Sequence, residues 1–249
     1  MLPSQIVGLF CLKIIHFLLT CTIIHGCDML PVDDSSELGD VVFSHPKSYD
    51  MVNAYPQVLI IDCTYSTNRY NTPLLEAVGA TSTNKTFTIA YAFMAAERED
   101  NFRYVLQFIK GLYAKALPYV IVTDRDYALM NAVDAVFEEP TRRMLCRRHI
   151  EQCVLQQACK QPGFNNPDRF KHHWNKTISA RTVDDFNQRW EEFTTRYRRW
   201  RGLIDYCDTT WISPHREHFA SPWVDNWYHF GNYTTNRYII ITVQAIKIL

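Results

Sequence analysis

Two aspartates each close a short apolar run. Asp62 ends the run in QVLIIDCT (57–64) and Asp124 ends YVIVTD (119–124). Short aliphatic, β-branched runs of this kind read as strands covered on both faces. If the two strands are parallel neighbours, both carboxylates leave the sheet at one edge, where α/β sheets set their sites. Two carboxylates held that close repel unless positive charge lies between them. Oxygen-only donors suit Mg²⁺ or Mn²⁺. Such ions activate a water or a 3′-hydroxyl and stabilise the leaving oxygen in an in-line phosphoryl transfer. An Asp after a strand is also an ordinary turn residue or helix N-cap, and that blander reading is the one taken for Asp126.

A second constellation is Cys146 and His149, a CxxH unit. By itself it is half of a zinc site, because zinc takes four ligands. Cys153, Cys159, His172 and His173 stand at no persuasive spacing from it. Zinc is therefore not expected, and the pair reads as a structural Cys/His element or a buried thiol beside a hydrogen-bonded imidazole. Arg142, Arg143, Arg147 and Arg148 form a basic cluster that is a candidate for DNA contact. Arg189, Arg196, Arg198, Arg199 and Arg201 form another, interleaved with Trp190, Tyr197 and Trp200. Basic and aromatic side chains in alternation can bind nucleic acid. Here the aromatics keep helical spacing, which makes them core and the arginines a solvated face.

The elements that must position these residues follow from the patterning. Residues 28–56 are polar and broken by prolines, a lead-in with one short helix. Three strands are expected, at 57–64, 73–82 and 86–95, with a hairpin loop at 65–72 and a tight turn at Thr83–Lys85. A helix capped by Asp100 and stopped by Pro118 comes next, with Phe102, Val105, Leu106 and Ile109 on one face. A strand at 119–124, a helix capped by Asp126, and a strand at 144–150 running into another helix complete the series. The fold class is α/β: a mixed sheet of ribonuclease H-like order, followed by a largely helical region. In that region Thr182 and Asp185 suggest a capping box, and a helix of about five turns is expected to end near Gly202.

Bulk composition narrows the partners. The 249 residues hold 26 basic and 26 acidic side chains, so any DNA-facing surface must be a local patch. The eight cysteines form no CxxC pair and no regular framework, which reads as reduced, intracellular thiols. Residues 5–26 are strongly apolar, yet Lys13 and His16 sit inside the stretch and no small-residue cleavage site follows. A central Lys costs a spanning helix roughly 2.5–3.5 kcal/mol, so a membrane partner is not favoured. A membrane or secreted location through 5–26 stays as the alternative to an internal one.

The linked stretches SHPKSYDMVNAYPQVLIIDCTYSTNRYNTPLLEAVGATST, EREDNF, YVIVTDRDYALMNAVDAVF and LCRRHI resemble the MULE (Mutator-like element) transposase domain, including its far-red-response domesticated relatives, over roughly residues 37–237. Weaker similarity continues through DDFNQRWEEF and WVDNWYHFGNYTTNR. The resemblance implies a ribonuclease H-like core at 37–150 and a helical insertion region at 151–237. It leaves an apolar segment and lead-in at 1–36 outside the core, and an aberrant apolar tail at 238–249. It implies metal-dependent DNA cleavage and strand transfer by a DDE triad, with Mg²⁺ or Mn²⁺ as cofactor. It implies DNA as partner, a homo-oligomer as an open possibility, and the nucleus as location. Asp62 and Asp124 match the first two acids, and Cys146 with His149 the family's C(2)H element. The third acid is expected near Ile239, where the chain reads YIIITVQAIKIL. No acidic residue follows Asp225, so the expectation is a catalytic domain of weak or absent activity, or a domesticated regulator that binds DNA without catalysis.

Overall fold

The computed structural model describes residues 26–31 and 38 as backbone, and 39–64 and 72–235 in full. Its centre is a seven-stranded mixed sheet. In chain order the strands are β1 (Gly26–Pro31), β2 (Leu38–Ser44), β3 (Val58–Thr64), β4 (Leu74–Ala80), β5 (Thr86–Phe93), β6 (Val120–Thr123) and β7 (Arg142–Leu145). Across the sheet they run β1-β2-β5-β4-β3-β6-β7. The β3–β4–β5 meander is antiparallel, while β3, β6 and β7 are mutually parallel. This is the ribonuclease H-like order expected from the sequence. The crossover helices are α2 (Glu99–Gly111) between β5 and β6, and α3 (Tyr127–Val136) between β6 and β7.

The sheet is covered on both faces, which explains its unbroken apolar runs. Leu59, Ile61, Ile89 and Ile121 pack under α2, α3 and the short helix α1 (Pro46–Ala54). On the other face Val58, Ile60, Val120, Val122 and Met144 pack against Val224, with Trp227 and Tyr233 alongside. A second core belongs to the helices α4 (Arg147–Cys159), α5 (Pro167–Ile178), α6 (Val183–Tyr197) and α7 (Arg201–Cys207). Its centre is aromatic: Phe170 meets Tyr197 edge-on at 4.9 Å, and Trp174 lies 5.9 Å from Phe193. Fully burying one such ring contributes roughly 1.5–3 kcal/mol, so the stripe at 186, 193 and 197 is core, as its spacing suggests.

Several local expectations need correction. The stretch read as a polar lead-in holds α1, but also β1 and β2, so the sheet extends back to residue 26. Its polarity misleads because its polar groups are buried with partners. Asp40 accepts from the Ala95 amide at 2.8 Å and from Asn101, and the Ser44 hydroxyl donates to the Ile89 carbonyl at 2.6 Å. The helix expected to start at an Asp100 cap starts at Glu99 behind Arg98, which makes no capping bond; Glu99 and Asp100 sit in the first turn, complementing the helix dipole. That helix ends at Gly111, well before Pro118. The helix expected to reach Gly202 ends at Tyr197, because Trp200 turns back to donate its indole N–H to the Pro162 carbonyl. The Trp-rich stretch around 211–230, which the sequence reads as a loop, holds short helical turns as far as Val224 and irregular backbone after it. Asp126 does cap α3, accepting from the Leu129 amide at 2.7 Å. Thr182 caps α6 through the Asp185 amide, while the returning carboxylate takes the amide of Arg181 rather than of Thr182. The hairpin at 65–71, the apolar residues before 26 and the tail after 235 lie outside the described residues. Among the described residues no helix is long and apolar enough to cross a membrane.

One close approach is absolute. Gly79 pairs with Phe87 across β4 and β5, and the ring covers the glycine so closely that any Cβ would overlap it. Gly79→Ala is expected to cost about 1–3 kcal/mol by overpacking. Urea unfolding at constant m-value measures this, and an unchanged midpoint would refute it.

Candidate active site

The parallel register assembles the site. Val58 pairs with Val120 and Ile60 with Val122, and on the next strand Val120 pairs with Arg142 and Val122 with Met144. Continued past its last pairs, Ile60 with Val122 and Thr123 with Leu145, this register leads Asp62 toward Asp124 and Asp124 toward Cys146, and the charges of the two carboxyls act on each other. Side chains alternate along a strand, so these three share the face of Ile60, Val122 and Met144. Neighbouring strands lie about 4.8 Å apart, which makes the row compact. The amide of Cys146 still bonds the Thr123 carbonyl at 2.7 Å, so the row continues the ladder.

The site sits over a dry apolar column, and burial dominates its electrostatics. Burial raises the Asp62 carboxyl, offset in part by a 2.8 Å hydrogen bond from the Thr235 hydroxyl and by His149. Burial also lifts Asp124 to about 6, with Asp62, Asp126 and Glu97 adding repulsion and His149 opposing it. Glu97, in the loop between β5 and α2, is itself raised by burial, with a bond to the Cys63 thiol acting against that. Sequence reasoning missed this third carboxylate, because nothing in EREDNF marks one acid among three. His149 is raised to about 9, chiefly by its hydrogen bond with Cys146. Burial pushes the Cys146 thiol up, but His149 and the Thr235 amide bring it below its ordinary value. At neutral pH His149 is thus an imidazolium, and supplies positive charge beside the two aspartates.

The donor set suits a divalent cation. Buried oxygens Asp124 Oδ1 and Glu97 Oε1 have no hydrogen-bond partner. Mg²⁺ is commonly held by one or two carboxylates plus waters, so a pair of aspartates is enough to seat it. Among the described residues no three His, Cys, Asp or Glu groups converge closely enough to form a complete protein-only ligand set. The position expected for a third acid, near Ile239, lies outside the described residues.

Residues 58–153 match the MULE transposase domain. The family likeness read from the sequence holds, and the match takes in both aspartates and the Cys146–His149 pair. The chain is also similar to FAR1-RELATED SEQUENCE 6 of Arabidopsis thaliana, 24% identical over 65% of this chain and 22% of that protein. It is similar to FAR-RED IMPAIRED RESPONSE 1 of the same plant, 22% identical over 84% of this chain and 24% of that protein. A 134-residue stretch, 51% of this chain, is 28% identical to 3% of the PKS-NRPS hybrid synthetase cheA of Chaetomium globosum. The chain thus spans less than a quarter of each of these relatives.

Within the MULE domain match, the first arginine cluster does not act together. Arg143 is almost buried and holds Asp134 through two bonds, at 2.9 and 3.1 Å. Arg142 pairs with Glu139 at the surface. Arg147 points inward: it donates to the Phe219 carbonyl at 2.6 Å and to Ser221, and stacks 3.8 Å over Tyr233. Arg148 alone of the four is exposed and without a hydrogen-bond or ion-pair partner among the described residues. Arg147 is a clamp that holds the 219–235 segment on the sheet, and so presents Thr235 to Asp62.

A raised Asp124 makes a pH prediction. Its folded value, about 6, lies above the ordinary aspartate value of 3.8, so its ionised form destabilises the fold at neutral pH. Relative stability is greatest below the unfolded value and is lost as pH rises through about 6. Asp124→Asn should therefore raise stability at pH 7.5 by on the order of 1–2 kcal/mol, and the gain should vanish near pH 4. Thermal melts across that range read it; a gain independent of pH would contradict the burial account.

Proposed function

We propose that this chain contains a MULE-type transposase catalytic core in which Asp62 and Asp124 hold Mg²⁺ or Mn²⁺ against a DNA phosphodiester. The observation that carries the reading is the parallel pairing of β3 with β6, whose last pair, Ile60 with Val122, stands two residues before Asp62 and Asp124, together with the repulsion between the two carboxyls and the unpaired Asp124 Oδ1. The bound ion would supply Lewis-acid charge at the phosphate and lower the pKa of an attacking water or hydroxyl. The chain's own contributions are positional. The Thr235 hydroxyl fixes one oxygen of Asp62, and the apolar column beneath excludes water. His149 supplies charge that opposes the effect of burial on both carboxyls. DNA as partner and the nucleus as location follow from this reading.

Turnover is expected to be weak. Ile239 stands where the family's third acid is expected. Glu97, which lies between the two aspartates in sequence, adds weak repulsion at Asp124 and does not complete a three-carboxylate set among the described residues. The same observation favours a second reading, a DNA-binding regulator that keeps the fold without the chemistry.

Two measurements test this. Calorimetric titration should show Mn²⁺ binding that Asp62→Asn or Asp124→Asn weakens at least tenfold; absence of binding by the unaltered chain would overturn the metal site. Strand cleavage of element-end DNA in Mn²⁺ should be slow or undetectable. Robust cleavage abolished by Asp62→Ala would overturn the weak-turnover expectation. A gel shift that persists in EDTA favours the regulator.

A further inference from the structure

The helical region carries a charge imbalance that the site above does not use. Between residues 160 and 201 the sequence has ten Lys or Arg against five Asp or Glu, in a chain whose charges otherwise cancel. On α5, Arg169, His172, His173 and Lys176 follow at spacings of three, one and three, which is one helix face. On α6, Arg189 and Arg196 lie one heptad apart and look toward it. The two helices enclose a hollow of about 110 Å³, lined by the two histidines, Lys176, Arg189 and Arg196. A second hollow of about 240 Å³ adjoins it through Arg196, walled by Phe164, Tyr197 and Trp200 with Arg169 at its rim.

These cations are poorly compensated. The side chains of Arg169, Lys176 and Arg196 are exposed and enter no hydrogen bond or ion pair among the described residues. Arg189 is partly neutralised by Asp185 at 2.6 Å, and Glu192 is the one carboxylate lining the hollows. The local field is visible at His173. Burial lowers its pKa first, and Arg196, Arg169, His172 and Lys176 lower it further. Massed like charge costs folding stability, and it is the arrangement that attracts a polyanion.

We propose that the α5–α6 groove binds the phosphodiester backbone of a DNA strand. Arg169 and Lys176 stand seven residues apart, about 10 Å along the helix. That length meets roughly three successive phosphates of one strand at about 3.4 Å of axial rise each. The half-buried rings of Phe164 and Trp200 give the second hollow flat apolar walls against which a base can stack, which an acidic peptide does not need. The proposal rests on the DNA reading of the core, and assigns the affinity to the helical region rather than to the Arg142–Arg148 cluster, most of which is occupied internally.

The test uses the full chain in EDTA, with a fluorescein-labelled random-sequence duplex and the matching single strand, read by anisotropy across a salt series. The triple variant Arg169→Gln, Lys176→Gln, Arg196→Gln should bind at least tenfold more weakly. Its slope of log affinity against log salt should fall by about 2–3, since each phosphate contact contributes roughly 0.9. Arg196→Gln alone gives a smaller change in the same direction should the triple variant melt early. Unchanged affinity and slope would overturn the proposal, and so would polyglutamate binding more tightly than either DNA. Mn²⁺ titration runs alongside: failure of the unaltered chain to bind Mn²⁺ sinks the metal-site reading, while a groove effect seen in the same protein still supports this one.

Discussion

The parallel pairing of β3, β6 and β7 is the constraint on which the site depends. It gives three residues far apart in sequence, at 62, 124 and 146, the same height and the same face. A slip of one residue in β6 would turn Asp124 to the α2–α3 side and bring Thr123 into its place, because side chains alternate. Register is held by apolar packing on both faces, with Ile60, Val122 and Met144 on one and Leu59, Ile61 and Ile121 on the other. The same packing desolvates the acids, so the groups that fix the geometry also raise the carboxyl pKa values. An imidazolium from the start of α4 offsets part of that cost.

Around this row, polar residues from remote segments act as fasteners. Asp40 in β2 ties down the amide of Ala95 and the side chain of Asn101, bracketing the loop that carries Glu97. Arg147 clamps the backbone at Phe219 and the ring of Tyr233, and the amide of Arg147 bonds the Tyr233 carbonyl at 2.9 Å. Each of these side chains is charged, yet each does structural work, because its partners are in place where it is buried.

The sequence showed the sheet's centre well, for a physical reason. Strands buried on both faces must be apolar throughout, so β3 and β6 stand out as runs that end in Asp62 and Asp124. The Asp126 cap and the aromatic stripe of α6 were equally plain, since both obey local rules. What stayed hidden depended on tertiary partners. Asp40 and Ser44 made β2 look like a solvated lead-in, although both are buried. Arg147 looked like a DNA contact because its carbonyl and ring partners lie more than seventy residues away. Glu97 and Thr235 carry no motif of their own; only the fold brings them to the aspartates.

The fastening has a consequence for what counts as a unit. The family match covers 58–153, yet Asp40 lies before it, and Val224, Trp227, Tyr233 and Thr235 lie after it. A fragment trimmed to the matched limits would bare the valine-rich underside of β3 and β6 to water. Contiguous apolar area of that kind drives self-association. The heritable motif and the autonomous folding body are therefore different lengths of the same chain.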